Sequence, residues 1–314
     1  MGSPAIAVAD LHKEYKDCKA VAGVSFTIEQ GAFVGLLGPN GAGKTTIISI
    51  LGGLTGKSSG SAQVMGHDLA SAPLAARRSI GIVPQELVYD PFFKTREYLR
   101  QQSSYYGIFN NDKWIDELLD ELGLTEKADT NTRALSGGMK RRLMVGLALV
   151  HQPPVVVLDE PTAGVDINLR LNLWKFIRRL NENGTTVLLT THYLDEAEEL
   201  CDRIILLNKG KVIADQPTVQ LLESAGGSRL ALHLRVAGEA ELPGEIDALC
   251  HRGRRRQDAS GRQVLELENY AQIEQVLACL RTHNLAIAEM EIAPPDLEDV
   301  FLELTSDKGA SQNA

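Results

Sequence analysis

Compact apolar runs alternate with amphipathic stretches along most of this chain. The runs at 32–37, 80–83, 155–158, 185–189 and 204–207 read as buried strands. The stretches at 47–54, 167–180 and 194–200 repeat with helical period. Strand and helix in alternation predict a parallel sheet with helices on its faces. Ahead of it, residues 6–27 carry mixed alternation at Val21, Val24 and Phe26, with Ile28 leading into a Glu29-Gln30-Gly31 turn, which predicts an antiparallel β layer. A short strand at 62–65 and a short helix near 73–78 fill the gap to residue 80. Residues 95–106 and 112–122 read as helices of an insert over about 90–150, a candidate separate lobe. Tyr89, Phe92 and Phe93 cluster at its entrance, where aromatics serve as partner sockets or as local core, and local core is the default expectation.

The pattern changes after a stretch rich in small residues at 224–228, read as a linker. Leu230, Leu232, Leu234 and Val236 alternate as a strand, 264–267 and 286–292 read as two more, and 273–280 as a helix. These elements make a small α+β appendage. Leu297, Val300, Phe301 and Leu304 fall at i, i+3, i+4 and i+7, with acids in the first turn, so a closing amphipathic helix is expected to pack on that appendage. The expected domains are therefore 1–227 and 228–305, followed by a polar tail, 306–314, expected to be disordered.

Composition narrows the class. The chain has 314 residues, 44% hydrophobic and 23% charged, enough for one main globular domain plus an appendage. No run approaches the roughly 18–20 apolar residues of a membrane span, and the first residues show neither a secretion signal nor a myristoylation pattern. Cys18, Cys201, Cys250 and Cys279 lie far apart without a C-x-x-C pair, which argues against a zinc site or disulfide framework and for a reducing cytosol. A net charge of −9 disfavours a broad nucleic-acid surface. Arg252, Arg254, Arg255 and Arg256 form the one basic run of the appendage, which suits anionic lipid heads, nucleic acid or, as the favoured reading, a solvated loop.

The chemistry begins at Gly38-Pro39-Asn40-Gly41-Ala42-Gly43-Lys44-Thr45-Thr46, between a strand and a helix as the G-x-x-x-x-G-K-[ST] motif demands. Its glycines let backbone N–H groups face phosphate oxygens, Lys44 supplies a point charge and Thr45 a hydroxyl for Mg²⁺. ATP or GTP binding is the expected chemistry. Gln85 follows a buried strand, where its carbonyl serves as a Mg²⁺ ligand or merely ends the strand. Tyr15 stands among charged residues and either stacks on a base or covers a loop. Ser136-Gly137-Gly138 opens a basic helix; Ser136 is a good N-cap, and the Gly-Gly start exposes backbone donors suited to a second anion. Val155-Val156-Val157-Leu158 ends on Asp159-Glu160, at the strand end where ligands gather in parallel sheets.

In this order and spacing the motifs resemble an ATP-binding cassette ATPase, a P-loop NTPase of the ABC transporter family, over nearly the whole of residues 5–225. Pro161, Asp166 and Thr190-Thr191-His192 continue the pattern. The resemblance implies an α/β cassette with a mainly parallel sheet core, an antiparallel β layer and a helical subdomain. It implies ATP held by Gly38, Asn40, Gly41, Ala42, Gly43, Lys44, Thr45 and Thr46, with Thr45, Gln85 and Asp159 arranging Mg²⁺. Glu160 would polarise the attacking water, His192 would contact the γ-phosphate, and Tyr15 would stack on adenine. Ser136, Gly137, Gly138 and Asp166 would meet the ATP of a second cassette, so a dimer with composite sites is implied. Thr162-Ala163-Gly164-Val165-Asp166, His192-Tyr193-Leu194-Asp195-Glu196-Ala197 and 295–301 are similar to ATPases of drug, polysaccharide or glycolipid exporters, whose membrane permease is a separate chain. That resemblance places the chain at the inner face of the cell membrane. The competing reading is a soluble cassette ATPase acting on nucleic acid or ribosomes, which net acidity and the absence of a second cassette or long coiled coil disfavour. One departure is Gly146-Leu147, where similar cassettes often read Ala-Arg; a mid-helix Gly costs about 1 kcal/mol relative to Ala.

Overall fold

The computed structural model describes residues 3–16, 18–162, 164–226, 230–237, 242–250, 255–257, 260–293 and 297–305. The chain divides into two compact units, Met1–Thr218 and Val219–Ala314.

The first unit opens on two long strands, β1 (Ile6–Tyr15) and β2 (Cys18–Ile28), paired antiparallel from Ile6 opposite Ile28 to Tyr15 opposite Cys18. Strand β3 (Phe33–Leu37) leads into helix α1 (Lys44–Leu51). Strands β4 (Ser59–Val64) and β5 (His67–Asp68) complete an antiparallel sheet of order β2-β1-β4-β5. Helix α2 (Pro73–Arg78) and strand β6 (Ile80–Val83) return the chain to the other sheet. Helices α3 (Thr95–Tyr105), α4 (Asp112–Glu121) and α5 (Gly137–Leu149) follow, and then β7 (Val155–Asp159), α6 (Ile167–Glu182), β8 (Thr186–Thr190), α7 (Leu194–Leu200), β9 (Arg203–Asn208) and β10 (Lys211–Pro217). The second sheet has the order β10-β9-β3-β8-β7-β6, parallel apart from β10 at its edge.

Every residue of β3, β7 and β8 is buried, the condition under which parallel strands become continuous apolar runs. Ile47, Ile50 and Leu51 of α1 share one core with Leu11, Val24 and Phe26 of the antiparallel sheet and with Val34, Val157 and Leu188 of the parallel one. The consequence for function is geometric. The carboxyl ends of β3, β6, β7 and β8 deliver the Lys44 loop, Gln85, Asp159-Glu160 and the Thr191-His192 segment to one edge of the sheet.

Several local expectations need correction. Helix α1 starts at Lys44 and stops at Leu51 rather than spanning 47–54: Gly43 turns the chain directly into it, and Gly52 caps it before Gly53 leaves helical space at φ 66°. The insert belongs to the first unit and forms no unit of its own. Of its entrance aromatics only Phe92, 87% exposed, departs from a local core; Tyr89 and Phe93 are half-buried, and Phe93 stacks on Tyr98 with ring centroids 5.7 Å apart.

Helix α8 (Thr218–Gly226) starts at the division between the units, so 224–226 are helical rather than linker, and 227–228 lie outside the described residues. Strands β11 (Leu230–Val236), β12 (Arg255–Gln257) and β13 (Gln263–Leu267), helix α9 (Tyr270–Thr282), strand β14 (Ile287–Ala293) and helix α10 (Leu297–Thr305), with a 3-10 helix at Gly244–Ala248, follow in the second unit, with sheet order β12-β13-β11-β14. Leu232, Leu234, Leu265, Ile273, Val276 and Leu280 build its core, and Leu297 and Val300 of α10 are buried. The basic run is no solvated loop where it is described. Arg255 pairs with Asp247 at 3.4 Å, Arg256 with Glu298 at 3.7 Å, and both lie on β12. Arg252, Arg254, Ala163, 294–296 and the expected tail 306–314 lie outside the described residues.

Candidate functional site

The turn between β3 and α1 has the backbone that its glycines permit. Gly43 adopts φ 105°, and a Cβ there would stand 2.5 Å from the Ala20 carbonyl oxygen. At Gly38 a Cβ would stand 2.4 Å from the Leu207 carbonyl oxygen. No other residue type fits either place without moving backbone. Lys44 Nζ donates to the Gly38 carbonyl at 2.6 Å and the Pro39 carbonyl at 3.2 Å, so the ammonium is held across the loop. Burial lowers the Lys44 pKa, while the Glu160 and Asp159 carboxylates raise it again and keep a cation beside them.

Asp159 ends β7 in a buried position. Burial pushes its carboxyl above the usual carboxylate range, against the hydroxyl of Thr190, and Glu160 pushes the same way while Thr45 and Lys44 pull back. Glu160 turns the chain sharply, at φ 50°, and its N–H donates to the Thr190 carbonyl at 3.0 Å. Its side chain is the meeting point of the site: Gln85 Nε2 donates to Glu160 Oε2 at 3.2 Å, and His192 Nδ1 stands 3.5 Å from the same oxygen. Two segments far apart in sequence thus converge on the carboxylate of a third.

Beside them lies a cleft of 440 Å³, lined by Asn40 to Thr46 together with Cys18, Ala20, Gln85 and Glu160. Tyr15, half exposed, faces Cys18 across the β1–β2 pairing, and Lys13 Nζ lies 4.9 Å over its ring. The Thr45 hydroxyl, the Gln85 amide and the Asp159 carboxylate offer hard oxygen donors, and Thr45 and Asp159 already touch. That donor chemistry fits Mg²⁺.

Ser136, Gly137, Gly138 and Asp166 do not line this cleft. Ser136 caps α5, its Oγ accepting from the Met139 N–H at 3.3 Å, and Asp166 caps α6, accepting from the Leu169 N–H at 3.0 Å. A Cβ on Gly138 would stand 3.6 Å from the Gly164 carbonyl oxygen, so the Ser-Gly-Gly turn and the loop ending at Asp166 are neighbours. The capped start of α5 and the loop leading into α6 therefore lie side by side, outside the lining of the cleft that holds Lys44.

Comparison with known proteins decides what this arrangement is. The family model described as ABC transporter matches residues 21–163. The linearmycin resistance ATP-binding protein LnrL of Bacillus subtilis (strain 168) is 37% identical over 309 residues, covering 94% of this chain and 96% of that protein. The chain belongs to the ABC transporter ATPase family. A Nod factor export ATP-binding protein I of Rhizobium sp. (strain N33) is 39% identical to this ATPase over 308 residues, covering 97% and 98% of the two chains. Among solved structures, an ATP-binding subunit of an ABC transporter superposes with a TM-score of 0.67 at 29% identity, over 71% of this cassette chain and 93% of that one. A dimeric ATP-binding cassette in a post-hydrolysis state, bound to ADP and Pi, gives 0.63 at 28% identity, over 68% and 98%.

Sequence reasoning missed several parts of the cassette. Cys18 and Ala20 line the cleft, yet a pair of small strand residues carries no motif. Arg141 was visible only as part of a basic helix. In the fold it is buried and donates to the Pro84 carbonyl at 2.9 Å, fixing the residue before Gln85. Arg142 is buried too, with Nη1 3.1 Å from the Gly123 carbonyl.

Proposed function

We propose that this ATPase is the hydrolysing subunit of a membrane exporter and works as a pair of cassettes against a separate permease chain. The observation that carries the catalytic part is the convergence of Gln85 and His192 on Glu160 beside the Lys44 loop. In this reading the backbone amides from Gly38 to Thr46 and the Lys44 ammonium hold the β- and γ-phosphates, and Tyr15 stacks on adenine. Thr45, Gln85 and Asp159 hold Mg²⁺, which when bound neutralises phosphate charge. Glu160 takes up a proton from the attacking water while the Gln85 amide and His192 fix its carboxylate. His192 reaches the γ-phosphate.

The outward placement of Ser136, Gly137, Gly138 and Asp166 supports their use on the nucleotide of a second copy. Two copies would then enclose two ATP molecules. Exposed Phe92, at the end of the segment that begins with Gln85, is suited to a permease contact. The names of the relatives, linearmycin resistance and Nod factor export ATP-binding proteins, support export as the direction. Among the described residues no helix is long and apolar enough to cross a membrane, in keeping with a partner that supplies the spans. Such a subunit sits on the inner face of the cell membrane.

Affinity purification of the tagged full chain from detergent-solubilised membranes tests the assignment. A stoichiometric chain with several membrane spans is the expected companion; ribosomes or DNA in its place would contradict the exporter reading.

A further inference from the structure

Glu196 lies in the first turn of α7 and is only 5% exposed. Four donors converge on it. The Thr162 hydroxyl lies 3.1 Å from Oε1 and 3.3 Å from Oε2. The Thr191 hydroxyl donates to Oε2 at 3.0 Å, Trp174 Nε1 to Oε1 at 3.2 Å, and Arg170 Nη1 to Oε1 at 3.4 Å. A carboxylate offers about four acceptor positions, so this one is saturated.

The donors come from the segments that carry the reacting groups. Thr162 stands two positions after Glu160, Thr191 immediately before His192, and Arg170 and Trp174 lie on α6, whose N-cap is Asp166. The cluster also grips the His192 loop from its other side. Thr191 Oγ1 accepts the Tyr193 N–H at 3.0 Å, and the Arg170 guanidinium lies 4.7 Å from the Tyr193 ring centroid. The Tyr193 ring in turn lies 4.0 Å from the His192 ring. A buried anion is a poor source of net stability, since apolar replacements of similar volume often serve as well. What a saturated carboxylate adds is fixed geometry among its donors.

We propose that Glu196 is a positioning residue of the hydrolytic site: it fastens the Glu160, His192 and Asp166 segments into one unit without touching nucleotide or water. The proposal rests on the ATPase reading, and its effect is exerted through His192, which in turn meets Glu160. Substitution with glutamine puts an NH₂ group where donors already point, so the knot opens while the volume stays.

The test measures turnover and nucleotide affinity of the full chain for Glu196→Gln, His192→Ala and the double variant, with Thr191→Val as a second way to break the knot. Expected are a kcat lowered about 10–100-fold for Glu196→Gln, the scale of a small misplacement of reacting groups, and affinity for a fluorescent ATP analogue within about twofold of the parent. Added to His192→Ala, the Glu196 change should cost less than about threefold more, because both act through one group. Thr191→Val should show the same split between kcat and affinity. Losses that multiply in the double variant, a Glu196→Gln kcat within about threefold of the parent, or affinity falling in step with kcat would overturn the proposal. If Glu196→Gln melts at assay temperature, the Thr191→Val split decides. Absence of ATP hydrolysis by the parent chain would overturn the ATPase reading itself.

Discussion

His151 shows how little of a residue's fate is written beside it in the sequence. It follows α5 beside Gln152, where a polar pair reads as a turn, yet it is buried, stacked on Tyr106 with ring centroids 3.6 Å apart, and its Nε2 meets the Ile80 carbonyl at 3.3 Å. A carbonyl only accepts, so Nε2 carries the proton, and Nδ1 is left buried without a partner. Burial pulls its pKa down to about 4. The unfolded chain binds its proton near pH 6.5, earlier than the folded one, so stability is full above that value and is lost as pH falls toward 4. The loss amounts to as much as about 3 kcal/mol for this one group. Chemical denaturation across that range should show His151→Gln losing less stability on acidification than the parent; equal slopes would contradict a buried neutral histidine. At the same scale, Lys44, Asp159 and Glu160 were legible because phosphate and metal chemistry demands those side chains at strand ends. Arg141 and Glu196 were not, because their value comes from burial against residues distant in the chain.

Elements were read well where one face or both faces are buried and poorly where a turn decides. The body of β7 and the whole of α7 match their apolar patterns, whereas α1 was misplaced because the conformations of Gly43 and Gly52 set its ends. Gly146 reverses its expected meaning. A missing Cβ in a helix reads as a weakness, but in α5 a Cβ at Gly146 would stand 3.0 Å from Leu122 Cδ1 and 3.2 Å from Leu99 Cδ2. The glycine lets α5 approach the leucines of its neighbours. Two effects then oppose: helix propensity favours Ala by about 1 kcal/mol, and crowding against two side-chain ends takes back a comparable amount. Gly146→Ala should therefore shift the urea midpoint little, and Gly146→Val should destabilise by roughly 1–3 kcal/mol. A stabilised Val variant would refute close packing at this position.

For the whole molecule, the chain order of motifs was enough to gather the candidate site segments, since topology carries β3, β6, β7 and β8 to one sheet edge. The small unit was legible only as a list of strands and a helix. Its β12 escaped notice because Arg255-Arg256-Gln257 has neither apolar alternation nor β-branched residues, and its pairing with β13 and its ion pairs make the strand. The larger question is the division of labour between copies. Within one chain the cleft is lined by the Lys44 loop and Glu160 but not by Ser136, the N-cap of α5, or by Gly138 in the first turn of that helix. Under the proposed use of the Ser-Gly-Gly turn on a second copy's nucleotide, a complete site needs two molecules.

Mixing two crippled chains measures this directly. Lys44→Ala removes the cation proposed to bind phosphate and Ser136→Arg blocks the Ser-Gly-Gly turn, with melting curves to verify that loss of the α5 cap, worth about 1 kcal/mol, leaves the latter folded. Each variant alone should be nearly inactive. In heterodimers, isolated by two affinity tags, the unaltered Lys44 of one chain meets the unaltered Ser136 of the other, and ATP hydrolysis should return at one site per pair. Verified heterodimers as inactive as their parents would contradict the shared active site.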